Sequence, residues 1–173
     1  MAMYITDESA DSIIVSNAKL RDTVQGNALV LWLPGQGAGV GANLCLMLCW
    51  MGALISLFRV VPVLRQPTPW YLLFICVMAA SMGVHWFMVL RGQRAARRRM
   101  YRYAVATLAV GVIVTITALL RSDKVAAALV GVGTVFAFAA VRIIAGPSYA
   151  LFAAFYRAKR AYESSIDPRQ SRA

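Results

Sequence analysis

Apolar and polar residues fall in long blocks rather than in short periods. Four apolar runs, at about 39–58, 70–90, 103–120 and 125–145, are separated by brief polar or proline-bearing breaks. The hydrocarbon core of a bilayer is about 30 Å thick and a helix rises about 1.5 Å per residue, so runs near 20 residues read as transmembrane helices. The pattern predicts an all-α membrane protein: four transmembrane helices in two antiparallel hairpins, a short polar or interfacial N-terminal segment, and a C-terminal amphipathic basic helix. The corresponding divisions are 1–36, 37–146 and 147–173.

The breaks have local causes. Pro62, Pro67 and Pro69 prevent the first two runs from forming one helix, since proline removes a donor and restricts the residue before it. Arg121, Ser122, Asp123 and Lys124 make a connection short enough to force a helical hairpin. Gly146 and Pro147 end or kink the fourth run. Near the N-terminus, Asp11 or Ser12 suits the cap of a short helix with Ile13, Leu20 and Val24 on one side; a disordered tail is the competing reading of so polar a segment. No basic stretch precedes a short apolar core there, so the segment does not read as a cleavable signal peptide. Residues 28–33 are apolar, include Trp32 and stop at Pro34 and Gly35, which suggests an interfacial or shallow re-entrant piece. Beyond Pro147, Tyr149, Phe152, Phe155, Tyr156 and Tyr162 interleave with Arg157, Lys159 and Arg160. That mixture suits an interfacial amphipathic helix; a solvated extension of the fourth run is the alternative.

Charge orients the picture. Arg91, Arg94, Arg97, Arg98, Arg99 and Arg102 lie between the second and third runs with no acid among them. Clusters of this kind stay on the cytoplasmic face, where anionic lipid adds to their retention. With both termini inside, Lys19, Arg21, these six and the five basic residues after Pro147 lie on the inner side; Arg59, Arg65, Arg121 and Lys124 lie outside. The expected location is therefore a bacterial inner membrane, bacterial because Arg and Ala are so abundant. A net charge of +11 also raises nucleic acid as a partner, but the basic residues flank apolar runs, so none is expected.

Catalytic chemistry is thinly represented. All seven acids lie outside the apolar runs, which argues against a proton- or sodium-coupled path and against paired carboxylates. His85, Asn43 and Arg142 are the candidate polar residues at membrane depth. A lone histidine suits a hydrogen-bonded helix contact better than a haem or metal ligand, and Ser56 and Ser81 have no acid to complete a triad. Cys45, Cys49 and Cys76 read as small packing residues rather than metal ligands. Gly37 and Gly39 resemble part of a nucleotide fingerprint, but no strand or Lys-Ser/Thr pair accompanies them. The expectation is a non-enzymatic protein without cofactor or metal.

Packing signals are clearer. Ala104, Thr107, Gly111, Thr115 and Ala118 form a small-residue stripe on the third run. The fourth run has two small faces, one with Ala127, Gly131 and Thr134 and one with Gly133, Ala137 and Ala140. Small residues let membrane helices approach closely, and two such faces exceed what one hairpin contact needs. This points to other membrane proteins as partners. The functional expectation is a non-catalytic subunit of a larger envelope assembly, such as secretion or conjugation machinery. A membrane immunity protein against a pore-forming toxin and a small channel or transporter are the other classes.

Overall fold

A computed structural model describes residues 7–25, 35–60, 69–93 and 95–166. Among these the chain is helical throughout, with connecting turns and no strand. The helices are α1 (Asp7–Ser16), α2 (Ala18–Val24), α3 (Gln36–Val60), α4 (Pro69–Leu90), α5 (Ala96–Leu120), α6 (Lys124–Ala145) and α7 (Pro147–Ile166). Three of them, over Gln36–Ser56, Ala96–Leu120 and Lys124–Ala145, are long and apolar enough to cross a membrane. The interfacial segment read at 28–33, the prolines Pro62 and Pro67, and Arg94 lie outside the described residues.

The helix ends follow from local chemistry. α5 stops in a left-handed turn: Ser122 has φ 57°, its N–H donates to the Leu119 carbonyl, and Asp123 N–H donates to the Ala118 carbonyl. This is a Schellman closure, which usually places glycine where Ser122 stands. Asp123 then caps α6, its carboxylate accepting from Ala126 N–H at 3.0 Å. α4 ends in the same motif with Gly92 at φ 67°; Gly92 N–H reaches Val89 and Gln93 N–H reaches Met88. Gly146, in extended backbone, ends α6, and Pro147 opens α7 as a separate helix. α5 begins well before the third apolar run, so Arg97, Arg98, Arg99 and Arg102 stand on a helix rather than in a loop.

α6 is the centre of the bundle, packed antiparallel between α3 and α5. On the α5 side, a Cβ at Gly111 would meet Thr134 Oγ1 at 2.8 Å, and Ala104, Thr107 and Ala118 are buried. The hydroxyls of Thr115 and Thr134 lie 3.3 Å apart. Each donates to a carbonyl of its own helix, Gly111 and Val130, so the contact across is close packing more than a hydrogen bond. On the α3 side, a Cβ at Gly133 would meet the Cys49 backbone at 3.1 Å, and one at Gly52 would meet the Leu129 carbonyl oxygen at 2.8 Å. Ser56 Oγ closes this seam by donating to Ala126 O at 3.0 Å. Ala137 and Ala140 are fully buried.

This arrangement corrects the argument from two small faces. The second face of α6 is not left for a partner; α3 of the same chain occupies it. Among the described residues the close α3–α4 pair expected of a hairpin is not seen: α3 packs mainly on α6 and α4 on α5 and α7, and the two meet where Trp86 lies against Gly39 and Met82 joins the cluster of Ala42 and Leu46. Gly131 also departs from its expected role, since a Cβ there would have nothing within 4 Å.

Large apolar side chains lie outside the small-residue core. Ile113, Ile116, Leu119, Val132, Val135 and Phe138 are all exposed. Small residues between helices and bulky ones outward is the distribution expected when the surroundings are lipid, as the apolar helices already indicate.

Two substitution pairs test the seams. Gly111→Leu should destabilise the purified protein by about 1–3 kcal/mol, because an enlarged side chain must displace Thr134, whereas the exposed Val112→Leu should be neutral. Gly52→Ala should lower the thermal midpoint against the Leu129 carbonyl, while Gly131→Ala should leave it unchanged or raise it, since Ala is favoured over Gly by about 1 kcal/mol in a helix. Thermal unfolding in detergent reads both.

Candidate interaction site at the basic end of the bundle

One end of the bundle gathers the N-terminus of α3, the C-terminus of α4, the start of α5 and the end of α6. α7 lies across it. Glycine permits this at two turns and one helix contact. Gly35, at φ 72°, places the Ser148 carbonyl where a Cβ would stand. A Cβ at Gly92 would meet Tyr156 O at 2.8 Å, and one at Gly39 would meet the rings of Phe152 and Trp86 at 2.9 Å. Trp86 and Phe152 stack with centroids 5.3 Å apart, and Tyr156 meets Phe152 edge-on at 5.1 Å.

Arg97 joins α5 to α6. Its Nε donates to Ile144 O at 3.3 Å and its Nη2 to Ala145 O at 3.2 Å. These carbonyls end α6 and have no partner in the helix, and a cation there also meets the negative end of the helix dipole. The sequence marked Arg97 only as one of six arginines; its contact with α6 is specific to the fold. Arg98, Arg99 and Arg102 are exposed. Arg91 is exposed and stands over the Phe87 ring at 4.5 Å, and Arg99 Nη1 reaches Met88 Sδ at 3.6 Å. Arg142 is exposed on the last turn of α6.

The basic residues of α7 have unlike surroundings. Arg157 donates to Asp11 Oδ1 through Nη2 at 2.9 Å and Nε at 3.3 Å, fastening α1 to α7. Arg160 lies 3.8 Å from Glu163, and Lys159 is exposed. The aromatic residues expected to enter a lipid surface are used inside the protein instead: Phe152 and Phe155 are buried and Tyr156 is partly buried. The reason is that α7 is apolar on two sides, one against the bundle and one against α1 and α2. Within that second contact Ile14, Leu20 and Val24 supply the apolar side chains, while Ile13, expected there, is exposed.

Polar groups at depth form one cluster and a few single sites. His85 Nδ1 donates to Ser81 O at 2.6 Å, and its ring stacks on Tyr103 at 4.8 Å. Ser81 Oγ donates to Met78 O, so the Tyr103 hydroxyl, 3.2 Å away, supplies the proton of their contact. This group ties α4 to α5. Asn43 Nδ2 donates to Gly39 O at 3.4 Å within α3. The buried oxygens Asn43 Oδ1, Thr107 Oγ1 and Tyr149 Oη have no hydrogen-bond partner among the described residues. Among the same residues no three His, Cys, Asp or Glu side chains gather as a metal site.

α3 and α4 leave a groove of about 540 Å³ between them, lined wholly by apolar side chains. Met47, Met51, Met78 and Met82 line much of it, with Trp50 and Ala79. Methionine adapts its shape readily and is common where a surface receives varied partners. Sequence reading missed this groove because a long helix with apolar residues on all sides does not reveal which side lacks a neighbour.

Comparison with known protein families, characterised proteins and solved structures finds no match to this chain.

Tyr149 yields a pH test outside the apolar helices. Burial raises its pKa above the ordinary 10.0, with the Arg97 charge opposing. A phenol raised in the fold favours the neutral form, so its stabilising effect is complete below pH 10.0 and is lost as pH rises beyond that value. Tyr149→Phe removes both the ionisable group and a buried hydroxyl without a partner. The variant should be as stable as the parent or more so at neutral pH, and should resist unfolding above pH 10.0 better. Thermal midpoints measured across that range check it.

Proposed function

We propose that the protein is a non-catalytic subunit of a larger assembly in a bacterial inner membrane, with secretion and conjugation machinery as the favoured settings. The observation that carries the proposal is the open groove between α3 and α4. Within a bundle whose other long helices are closely packed, α4 is held by its polar cluster on α5 and by α7, and its side toward α3 is apolar and, among the described residues, open. In a bilayer such a surface is filled by lipid chains or by a helix of another protein, and a methionine-rich wall suits the latter. The reading rests on this groove and no longer on a spare face of α6. The absence of acids from the apolar helices in the sequence supports a non-enzymatic role without cofactor or metal.

In the same proposal α4 is the fourth span. Its helix has 22 residues, about the length needed to cross the hydrocarbon core. Both termini are cytoplasmic, and the turn at Arg121–Asp123 is outside. The basis is the retained arginine cluster, which lies at the same end as α7. Ser122→Cys should react with an impermeant thiol reagent applied to intact cells, and Ser165→Cys should not. Reaction of Ser165→Cys from outside would reverse the topology.

Affinity purification in mild detergent tests the assembly role. Other envelope proteins should co-purify with the chain. Ala79→Trp, which fills the groove from an exposed position, should reduce their recovery without lowering accumulation or thermal stability. Recovery of a membrane-inserting toxin through the same groove would favour the immunity reading. A partner-free monomer that conducts a solute in vesicles would reject both in favour of a channel.

A further inference from the structure

α7 is covered on opposite sides by different parts of the chain. Tyr149, Phe152 and Ala153 meet the bundle end, whereas Ala150, Ala154 and Phe155 meet Ile14 of α1 and Val24 of α2. At about 100° per residue these two sets fall on opposite sides of the helix. Among the described residues α1 and α2 pack on each other and on α7, with no comparable contact to the four long helices. They have 10 and 7 residues, shorter than the roughly 12–15 at which an isolated helix becomes even marginally stable, so their helicity depends on docking.

Charge matches across the contact. Residues 7–25 contain Asp7, Glu8, Asp11 and Asp22 against Lys19 and Arg21, a net charge of −2. α7 contains Arg157, Lys159 and Arg160 against Glu163, a net charge of +2. An ion pair that joins them, Arg157 to Asp11, is asymmetric in burial: the Arg157 side chain is 11% exposed and Asp11 is 50% exposed. The backbone of Arg157 packs closely on the Gly92 turn, which anchors this side of the pair to the bundle end, and Asp11 is the more exposed partner.

We infer that α1 and α2 form an exchangeable strap, and that the face of α7 beneath them is a docking site for an acidic amphipathic helix of a partner protein. The chemistry of the partner follows from that of the strap: an apolar side to cover Ala150, Ala154 and Phe155, and a carboxylate to meet Arg157. The face is turned away from the bundle, so a helix from the aqueous phase reaches it without entering the membrane. This inference goes beyond the proposed assembly role and does not depend on the groove between α3 and α4. It makes the strap an internal competitor that keeps the α7 face closed until a better-matched helix is present.

The test uses the full chain in detergent and a fluorescent synthetic peptide of residues 7–25 as the probe. Asp11→Arg loosens the strap while leaving α7 intact. That variant should bind the peptide about tenfold more tightly than the parent, because less of its α7 face is occupied in cis. Arg157→Asp should bind the ordinary peptide poorly and recover binding with a peptide carrying Asp11→Arg, which separates loss of the ion pair from loss of folding. Saturating peptide should speed hydrogen exchange in α1 while leaving α7 protected. Equal binding by parent and Asp11→Arg, or exchange of α1 only together with the long helices, overturns the inference. So does an Asp11→Arg chain that ignores the peptide but gains affinity for phosphatidylglycerol vesicles, since the face would then serve lipid rather than protein. None of these readings requires co-purifying envelope proteins, so failure here is distinguishable from failure of the assembly proposal.

Discussion

The structure depends on how closely α6 lies to both of its neighbours. A side chain one carbon larger at Gly52 or Gly133 would run into the backbone of the opposing helix, and one at Gly111 into Thr134. In lipid the surroundings are as apolar as the helix surface, so association gains little from excluding water and relies on backbone approach, dispersion and hydrogen bonds. α6 supplies that approach twice, toward α3 and toward α5. The buried Ser56 hydroxyl adds a bond to the Ala126 carbonyl where the α3 seam is tight enough for it to reach. The three helices with clear spanning character are the same three that share these seams.

α4 is held by other means. Its described contacts include the His85, Ser81 and Tyr103 group on α5, the Trp86 and Phe152 stack on α7, and the Gly92 turn beneath Tyr156. These reach from the middle of α4 to the basic end and lie on its sides toward α5 and α7, while Met82 joins the core beside Ala42 and Leu46 and the apolar groove opens next to it. Polar and aromatic contacts therefore fasten α4, while the small-residue seams hold the other long helices along their length.

The sequence made the helical class, the long helices and the basic end legible because each is a property of composition along the chain. Apolar blocks set the helices, the four residues from Arg121 to Lys124 set a tight turn, Gly146 and Pro147 set a break, and the arginines marked one end. The stripe through Gly111 was visible because the short turn after Leu120 leaves few choices for its neighbour. Partner choice for the second face of α6 was not legible. Nothing in the Gly133, Ala137 and Ala140 spacing distinguishes a contact within the chain from one with another protein, and α3 carries its matching Gly52 and Cys49 among residues that read as uniformly apolar. The role of Arg97 was hidden for a similar reason. A cation among six looks interchangeable until the end of α6 is brought against it.

The end covered by α7 combines constraints that pull against one another. Several arginines crowd the first turns of α5, where the helix dipole is positive and a cation is least favoured. Arg97 relieves part of this by turning to the negative end of α6, and the exposed arginines remain hydrated. α7 then has to close the bundle without adding a further burden of buried charge. It does so by placing Tyr149, Phe152 and Ala153 inward and its cations toward the outer side, where Asp11 meets Arg157. The acidic N-terminal segment is therefore matched to a helix whose inner side is apolar and whose outer side is basic. Its position on the fold follows from the apolar and charged sides that α7 presents to it.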